Sequence, residues 1–244
     1  MIGGRNLPDV LSEPTLTSRA EDGRHVPLLV WRADVPLRAV SSAPLGGGIG
    51  VRRWVLNATV PMSYDRDDPA AHLASIAAEL ALDGPGVGLL TGVDVTEVVA
   101  RTDAGVRAWA TVGLGTPVPA AAPTPAALAP HVGTVNIVVY VPARLADSAL
   151  VNAVATATEA KTQAITELGV PGTGTPTDAV TVLCPVDGPE AAYGGPRSTW
   201  GAPLARAVHA AVLAGGSRPV VPWSEQLRGA KSNRSAVVGA FNDR

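Results

Sequence analysis

Three observations predict an α/β fold with a mixed sheet. Apolar runs of strand length, rich in Val, Ile and Leu, recur along the chain between Gly/Pro-rich turns. Two of them, at 134–141 and 179–184, flank a stretch with helical periodicity, the strand–helix–strand signature of parallel pairing. A third pair, at 96–115, is joined by a tight turn near Asp103–Gly105 and demands antiparallel pairing. The expectation is a single α/β domain with a mixed β-sheet and three main helices, around 68–82, 148–168 and 203–214. A layered α/β sandwich, with helices outside two sheets, fits the same elements. Residues 1–20 read as a loosely ordered N-terminal arm, 21–215 as the domain and 216–244 as a C-terminal tail.

Taken in order, Pro27–Trp31 and Leu37–Val40 are apolar runs that end in the turn-rich SSAPLGGGIG. RRWVLNATV (52–60) reads as a strand. Asp68 followed by Pro69 is an N-cap and first-turn pair, because an aspartate accepts from the free amides and proline needs no amide partner there. The helix that it opens puts Leu73, Ile76, Ala77 and Leu80 on one face, and Gly84 stops it. GVGLLTGVDV (86–95) is a buried strand with its exit turn, and the hairpin follows. The Pro/Ala-rich 116–132 is a surface excursion. In the last helix Leu204, Val208 and Val212 form one stripe.

Composition excludes several classes. At 244 residues the chain is long enough to bury a core, and a net charge of −2 with 16% charged residues gives no basic surface for nucleic acid. Cys184 is the lone cysteine, which rules out internal disulfides and multi-cysteine metal sites. His25, His72, His131 and His209 show no metal spacing, so no protein-held metal is expected. No run approaches the length of a membrane span and no signal-peptide core is visible, so the expectation is a cytoplasmic protein without membrane or nucleic-acid partners. Oligomeric state is left open. There is no GxSxG elbow, and Gly84-Pro-Gly86-Val-Gly88 lacks the strand-before, helix-after context of a dinucleotide fingerprint.

The chemistry gathers between Gly133 and Cys184. In the strand 134–141, pleating puts Val135, Ile137, Val139 and Val141 on one face and Thr134, Asn136, Val138 and Tyr140 on the other, which therefore has a polar end. In the following helix Leu150, Val154, Ala157, Lys161, Ile165 and Leu168 form an apolar stripe that carries a lysine. Only two of the 19 basic residues are lysines, Lys161 and Lys231. A buried ammonium needs a partner, so Lys161 either snorkels to water or meets a non-local carboxylate, with Asp178 the candidate. Asn152, Thr156, Glu159, Gln163 and Thr166 form a second, polar ridge. Gly169 ends the helix, and the loop Thr173-Gly-Thr-Pro-Thr-Asp178 leads into the next strand. In a right-handed parallel unit this loop, Thr134, Asn136 and Asp178 meet at the edge where both strands start. Open α/β sheets bind ligands at the opposite edge, so either the pairing is not simply parallel or the site is completed from outside the unit. Asn57 is a further polar residue in an apolar strand, and Gly46–Gly48 would let backbone amides approach a ligand.

SSAPLGGGIG, WVLNATVP, GTVNIVVYV, ATEAKTQAI and TGTPTDAV, in that order over roughly 28–215, resemble the adenosylcobinamide amidohydrolase (CbiZ-like) family of corrinoid salvage. The resemblance implies a cytoplasmic hydrolase in cobalamin biosynthesis. It would cleave the aminopropanol amide of adenosylcobinamide to adenosylcobyric acid and 1-amino-2-propanol. It also implies a corrinoid as small-molecule partner and no cofactor held by the protein, the cobalt arriving inside the substrate. Within that frame the candidate catalytic residues are Glu159 or Asp178 as base for water, Lys161 and Asn136 to polarise the carbonyl, and Thr134. Ser42, Gly46, Gly47, Gly48, Asn57, Thr175 and Thr177 are candidates for binding substrate. A covalent route through Thr134 or Thr175 competes with direct attack by water, and a self-cleaving chain with Gly133–Thr134 as scissile bond is a further alternative. A non-catalytic corrinoid-binding or carrier protein is the alternative function; it would need the apolar groove and glycine loop but not Glu159 and Lys161.

Overall fold

The computed structural model describes residues 10–21, 23–123 and 133–218. The elements run β1 (Thr15–Glu21), β2 (Arg24–Ser41), β3 (Gly48–Thr59), α1 (Pro69–Glu79), β4 (Gly86–Thr91), β5 (Val99–Asp103), β6 (Val106–Val112), β7 (Val135–Tyr140), α2 (Asp147–Glu167), β8 (Ala179–Pro185) and α3 (Gly201–Gly216). The eight strands form one mixed sheet in the order β4-β3-β2-β8-β7-β6-β5, with β1 paired to β2. β3 pairs parallel with β4 and β7 with β8, while the remaining pairs are antiparallel.

β2 shapes the molecule. Its register with β3 shifts between Arg32 and Leu37, an interval containing Pro36, which has no amide to give to a ladder. Residues before the shift pair with β1 and the end of β3; residues after it also pair with β8. The sheet therefore folds over, and period-2 alternation sends side chains into three apolar layers. Leu28, Val30, Trp54 and Leu56 pack under α1 with Leu73 and Ile76. Leu29, Trp31, Val55 and Leu89 meet Trp109, Val138 and Leu183 between the two halves of the sheet. Val135, Ile137, Val139, Val180 and Val182 lie under α2 and α3. Helix, sheet, sheet, helix is the layered sandwich that the sequence left as a second arrangement.

Local chemistry explains the element ends. Asp68 accepts from the Ala71 amide at 2.8 Å with Pro69 in the first turn, as the sequence indicated. Ala104 and Gly105, both at positive φ, turn the β5–β6 hairpin, and Gly169 at φ 70° ends α2. The two apolar runs at 27–31 and 37–40 are halves of one strand.

The arm is corrected: from residue 15 it is strand β1, and Leu11 is buried against the layer between the sheet halves. β1 is an edge strand with mostly exposed side chains, so it carries no apolar alternation to read. The excursion at 116–132 is anchored at Val118, which bridges to Gly174; its residues 124–132, including His131, and the tail from 219 lie outside the described residues.

Trp31 and Trp109 lock the sheet halves edge to face, with centroids 5.9 Å apart. Trp31→Ala is expected to cost about 3–5 kcal/mol in urea unfolding. Trp31→Phe should cost much less, because the Trp31 indole N–H is buried without a protein acceptor. Equal losses in the two variants would contradict this packing.

Candidate active site

β7 enters the sheet with Asn136 facing the layer between the halves, and that placement determines its chemistry. Its Nδ2 donates to Asn57 Oδ1 and to the Leu90 carbonyl, both at 2.9 Å. Asn57 in turn donates to Thr111 Oγ1 at 3.1 Å. Both amide hydrogens of Asn136 are thus committed across the fold, and its Oδ1 is a buried acceptor with no partner among the described residues. Buried polar atoms normally have one.

Asp178 organises the same edge. Its Oδ1 accepts from the Val135 amide at 2.8 Å and from Thr175 Oγ1 at 2.5 Å. Its Oδ2 accepts from the Thr175 amide at 3.0 Å and pairs with Lys161 Nζ. The ammonium and carboxylate side chains are 8% and 11% exposed, so the pair is withdrawn from solvent. The lysine on the apolar stripe of α2 therefore has the non-local partner that its burial requires. A side chain at Gly174 would collide with both groups.

Thr134 and Thr177 complete the edge. Thr177 Oγ1 donates to the Gly133 carbonyl at 3.1 Å and lies 2.7 Å from Thr134 Oγ1. Each hydroxyl has one proton, so Thr134 donates to Thr177 and keeps its lone pairs free.

Thr134, Asn136 and Thr177 line a cavity of about 320 Å³. Its other walls come from the ends of β3 and β4 (Val60, Leu90, Thr91), from Pro44, and from Tyr64 and Pro69 before and at the start of α1. β7 and β8 are parallel, and the site is completed from outside that unit. Behind Tyr64, its hydroxyl meets His72 Nδ1 at 3.1 Å and the two rings stack. Burial pushes the His72 imidazole below its usual range, against the pull of Glu21, and burial raises the Tyr64 phenol. Neutral His72 keeps its proton on Nε2, which faces Glu21 Oε1 at 3.6 Å, so Nδ1 accepts from Tyr64. Arg19 holds Glu21 and the Thr59 carbonyl. Sequence reading missed this group because Tyr64 and His72 lie in separate segments and Glu21 on the edge strand.

Several expected site residues stand elsewhere. Glu159 is exposed on the outer side of α2 and lines a separate cleft with Gln163, Arg206 and His209, since its position on the polar ridge turns it from the sheet. The Asp178 carboxylate is saturated by four donors and has no lone pair placed for a water. Asn136 has its Nδ2 engaged and its Oδ1 left over, and Lys161 Nζ is paired with Asp178. Thr175 is tied to Asp178 through both hydroxyl and amide. Asn57 is the support of Asn136. Ser42 Oγ accepts from the Val180 amide, stitching the loop after β2 to β8. Gly46 packs against the Gly86 carbonyl and, with Arg52 and Trp54, lines another cleft beneath α1; Gly47 and Gly48 belong to the same turn. Thr156, on the polar ridge, is buried and donates to the Gly194 carbonyl. Among the described residues no three His, Cys, Asp or Glu side chains gather as a metal site, and no helix is long and apolar enough to cross a membrane.

A hydroxyl pair and a small cavity lined by Asn136 make this the candidate site, and comparison with known proteins gives the class of the chain as an amidohydrolase. The chain belongs to the adenosylcobinamide amidohydrolase (CbiZ) family, whose model matches residues 13–220. A protein of Methanosarcina mazei named adenosylcobinamide amidohydrolase is 31% identical over 183 residues, covering 71% of this chain and 88% of that protein.

Two measurements check this geometry. Asp178→Asn leaves the Lys161 ammonium buried without its counter-ion and should cost about 3–5 kcal/mol in urea unfolding, partly recovered by adding Lys161→Met. A loss below about 1 kcal/mol would contradict the buried pair. His72 has a folded pKa below its unfolded value of about 6.5, so the unfolded chain binds the extra proton first. Its stability contribution is present above that pH and is lost as pH falls through it. The stability difference between the parent and His72→Gln should therefore shrink on acidification from about pH 7.5 to about pH 5. A constant difference would contradict a buried neutral imidazole.

Proposed function

We propose that this chain hydrolyses the amide joining aminopropanol to the corrin periphery of adenosylcobinamide, releasing adenosylcobyric acid and 1-amino-2-propanol. The reaction would be a cytoplasmic step of corrinoid salvage. The observation that carries the reading is the Thr134 hydroxyl, paired with Thr177, in the wall of a cavity that Asn136 also lines. A secondary amide entering the cavity brings a carbonyl carbon that the hydroxyl would attack. The cavity suits the aminopropanol arm, while the macrocycle, far larger than about 320 Å³, would rest outside on the apolar rim of Pro44, Pro61 and Pro69. The cobalt would enter within the substrate, and no cofactor is assigned to the protein.

In this mechanism Thr134 Oγ1 attacks the amide carbonyl, the amine leaves, and water releases the acid from the resulting ester. Thr177 supports the attacking hydroxyl. Asp178 and Lys161 act as positioning residues: the Val135 amide on Asp178 fixes the backbone next to Thr134. A carrier protein would need none of this polar arrangement.

Incubation of the purified protein with adenosylcobinamide in the dark, with chromatographic separation of corrinoids, should yield adenosylcobyric acid. Thr134→Ala should lower turnover by at least about a thousandfold. Glu159→Gln should stay within about twofold, since no reacting group lies near it. Retention of the corrinoid on a sizing column without turnover would replace the enzyme reading with the carrier reading.

A further inference from the structure

A threonine hydroxyl that turns over a separate substrate amide calls for a base beside it, and the cavity lining contains no carboxylate or imidazole among the described residues. Asp178 is saturated, Glu159 faces another cleft, and His72 is reached only through Tyr64. The group that would fill this role is covalently masked: the nitrogen of Thr134 itself, held in the peptide bond to Gly133.

We propose that the chain cuts itself between Gly133 and Thr134, freeing the Thr134 α-amino group as the base for its own hydroxyl. The proposal rests on Thr134 as the attacking group and not on the identity of the corrinoid. The parts for the cut stand together in the uncleaved chain. The attacking Thr134 Oγ1 adjoins Thr177 Oγ1 at 2.7 Å, and Thr177 already donates to the carbonyl oxygen of Gly133, the bond to be broken. That hydrogen bond withdraws electron density from the carbonyl and would stabilise the oxyanion formed on attack. Gly133 is pressed into backbone: a Cβ there would stand 2.7 Å from the Gly113 carbonyl and 3.2 Å from the Thr116 amide. The acyl side of the bond is thereby confined to the one residue that fits.

The chemistry balances with one water. Thr134 Oγ1 adds to the Gly133 carbonyl carbon, its proton passes to the Thr134 nitrogen, and the C–N bond breaks. The result is an ester from Gly133 to Oγ1 and a free α-amino group. Water then hydrolyses the ester, leaving a carboxylate on Gly133 and returning the proton to the Thr134 hydroxyl. An α-amino group titrates near pH 7.7–8.0 in ordinary peptides, a suitable range for a general base at neutral pH.

The new terminus would stay where it is. The Thr134 carbonyl accepts from the Gly113 amide at 2.9 Å, the Val135 amide is held by Asp178, and β7 is paired on both sides by β6 and β8. The fragments 1–133 and 134–244 would remain one folded body held by the sheet.

The test is mass spectrometry of the purified full chain under denaturing conditions, with no corrinoid present. Two fragments are expected, whose masses sum to the chain plus one water, the second beginning Thr-Val-Asn on terminal sequencing. Thr134→Ala should give one intact chain, while Thr134→Ser should still be cut and Thr177→Val should be cut more slowly. A single intact mass for the parent protein, with its circular dichroism showing it folded, would overturn the proposal, as would equal cutting of Thr134→Ala, which would mean a contaminating protease. If the parent is cut but leaves adenosylcobinamide untouched, the self-cleavage stands and the substrate assignment falls. If it is intact yet turns over the corrinoid, the reverse holds.

Discussion

The carboxylate of Asp178 is the contact on which the site depends. It joins three segments distant in sequence: the first amide of β7, the threonine loop before β8, and the lysine of α2. Two charges withdrawn from water are costly unless they are paired and hydrogen-bonded, and here the carboxylate takes the ammonium and three further donors. A fully engaged carboxylate holds a geometry, and the neutral hydroxyls and amides beside it take their positions from it.

Those neutral groups lie where the folded-over sheet brings its halves together. The bend in β2 sets the ends of β3 and β4 against the start of β7. The chain of hydrogen bonds from Thr111 through Asn57 to Asn136 and the Leu90 carbonyl crosses that interface. It commits both Asn136 amide hydrogens and leaves one acceptor over. Burying polar groups in an apolar layer requires such pairing, and the acceptor left over belongs to a residue that also lines the cavity. The mixed character of the site, half from a parallel unit and half from strands outside it, follows from the fold-over.

Much of this was legible in the sequence where a rule of spacing applied. Helical periodicity put Lys161 on a buried stripe, and the cost of a lone ammonium required a distant acid, which is Asp178. Pleating separated Thr134 and Asn136 from Val135, Ile137, Val139 and Val141 of the same strand. Periodicity says nothing about hydrogen-bond direction, so Asn136 read as a donor when its Nδ2 was already spent. It also cannot tell a solvated acid, as Glu159 is in the fold, from one turned toward the sheet. The group formed by Tyr64, His72, Glu21 and Arg19 draws on three unrelated segments and leaves no pattern in any of them.

The central claim is that Thr134, and not a free water, makes the first bond to the substrate carbonyl. Turnover of adenosylcobinamide in the presence of hydroxylamine tests it most directly, because an ester on Thr134 is open to either nucleophile. The account predicts that the corrinoid hydroxamate forms beside adenosylcobyric acid, in a proportion that rises with hydroxylamine. Adenosylcobyric acid alone at every hydroxylamine concentration, with turnover unchanged, would contradict it.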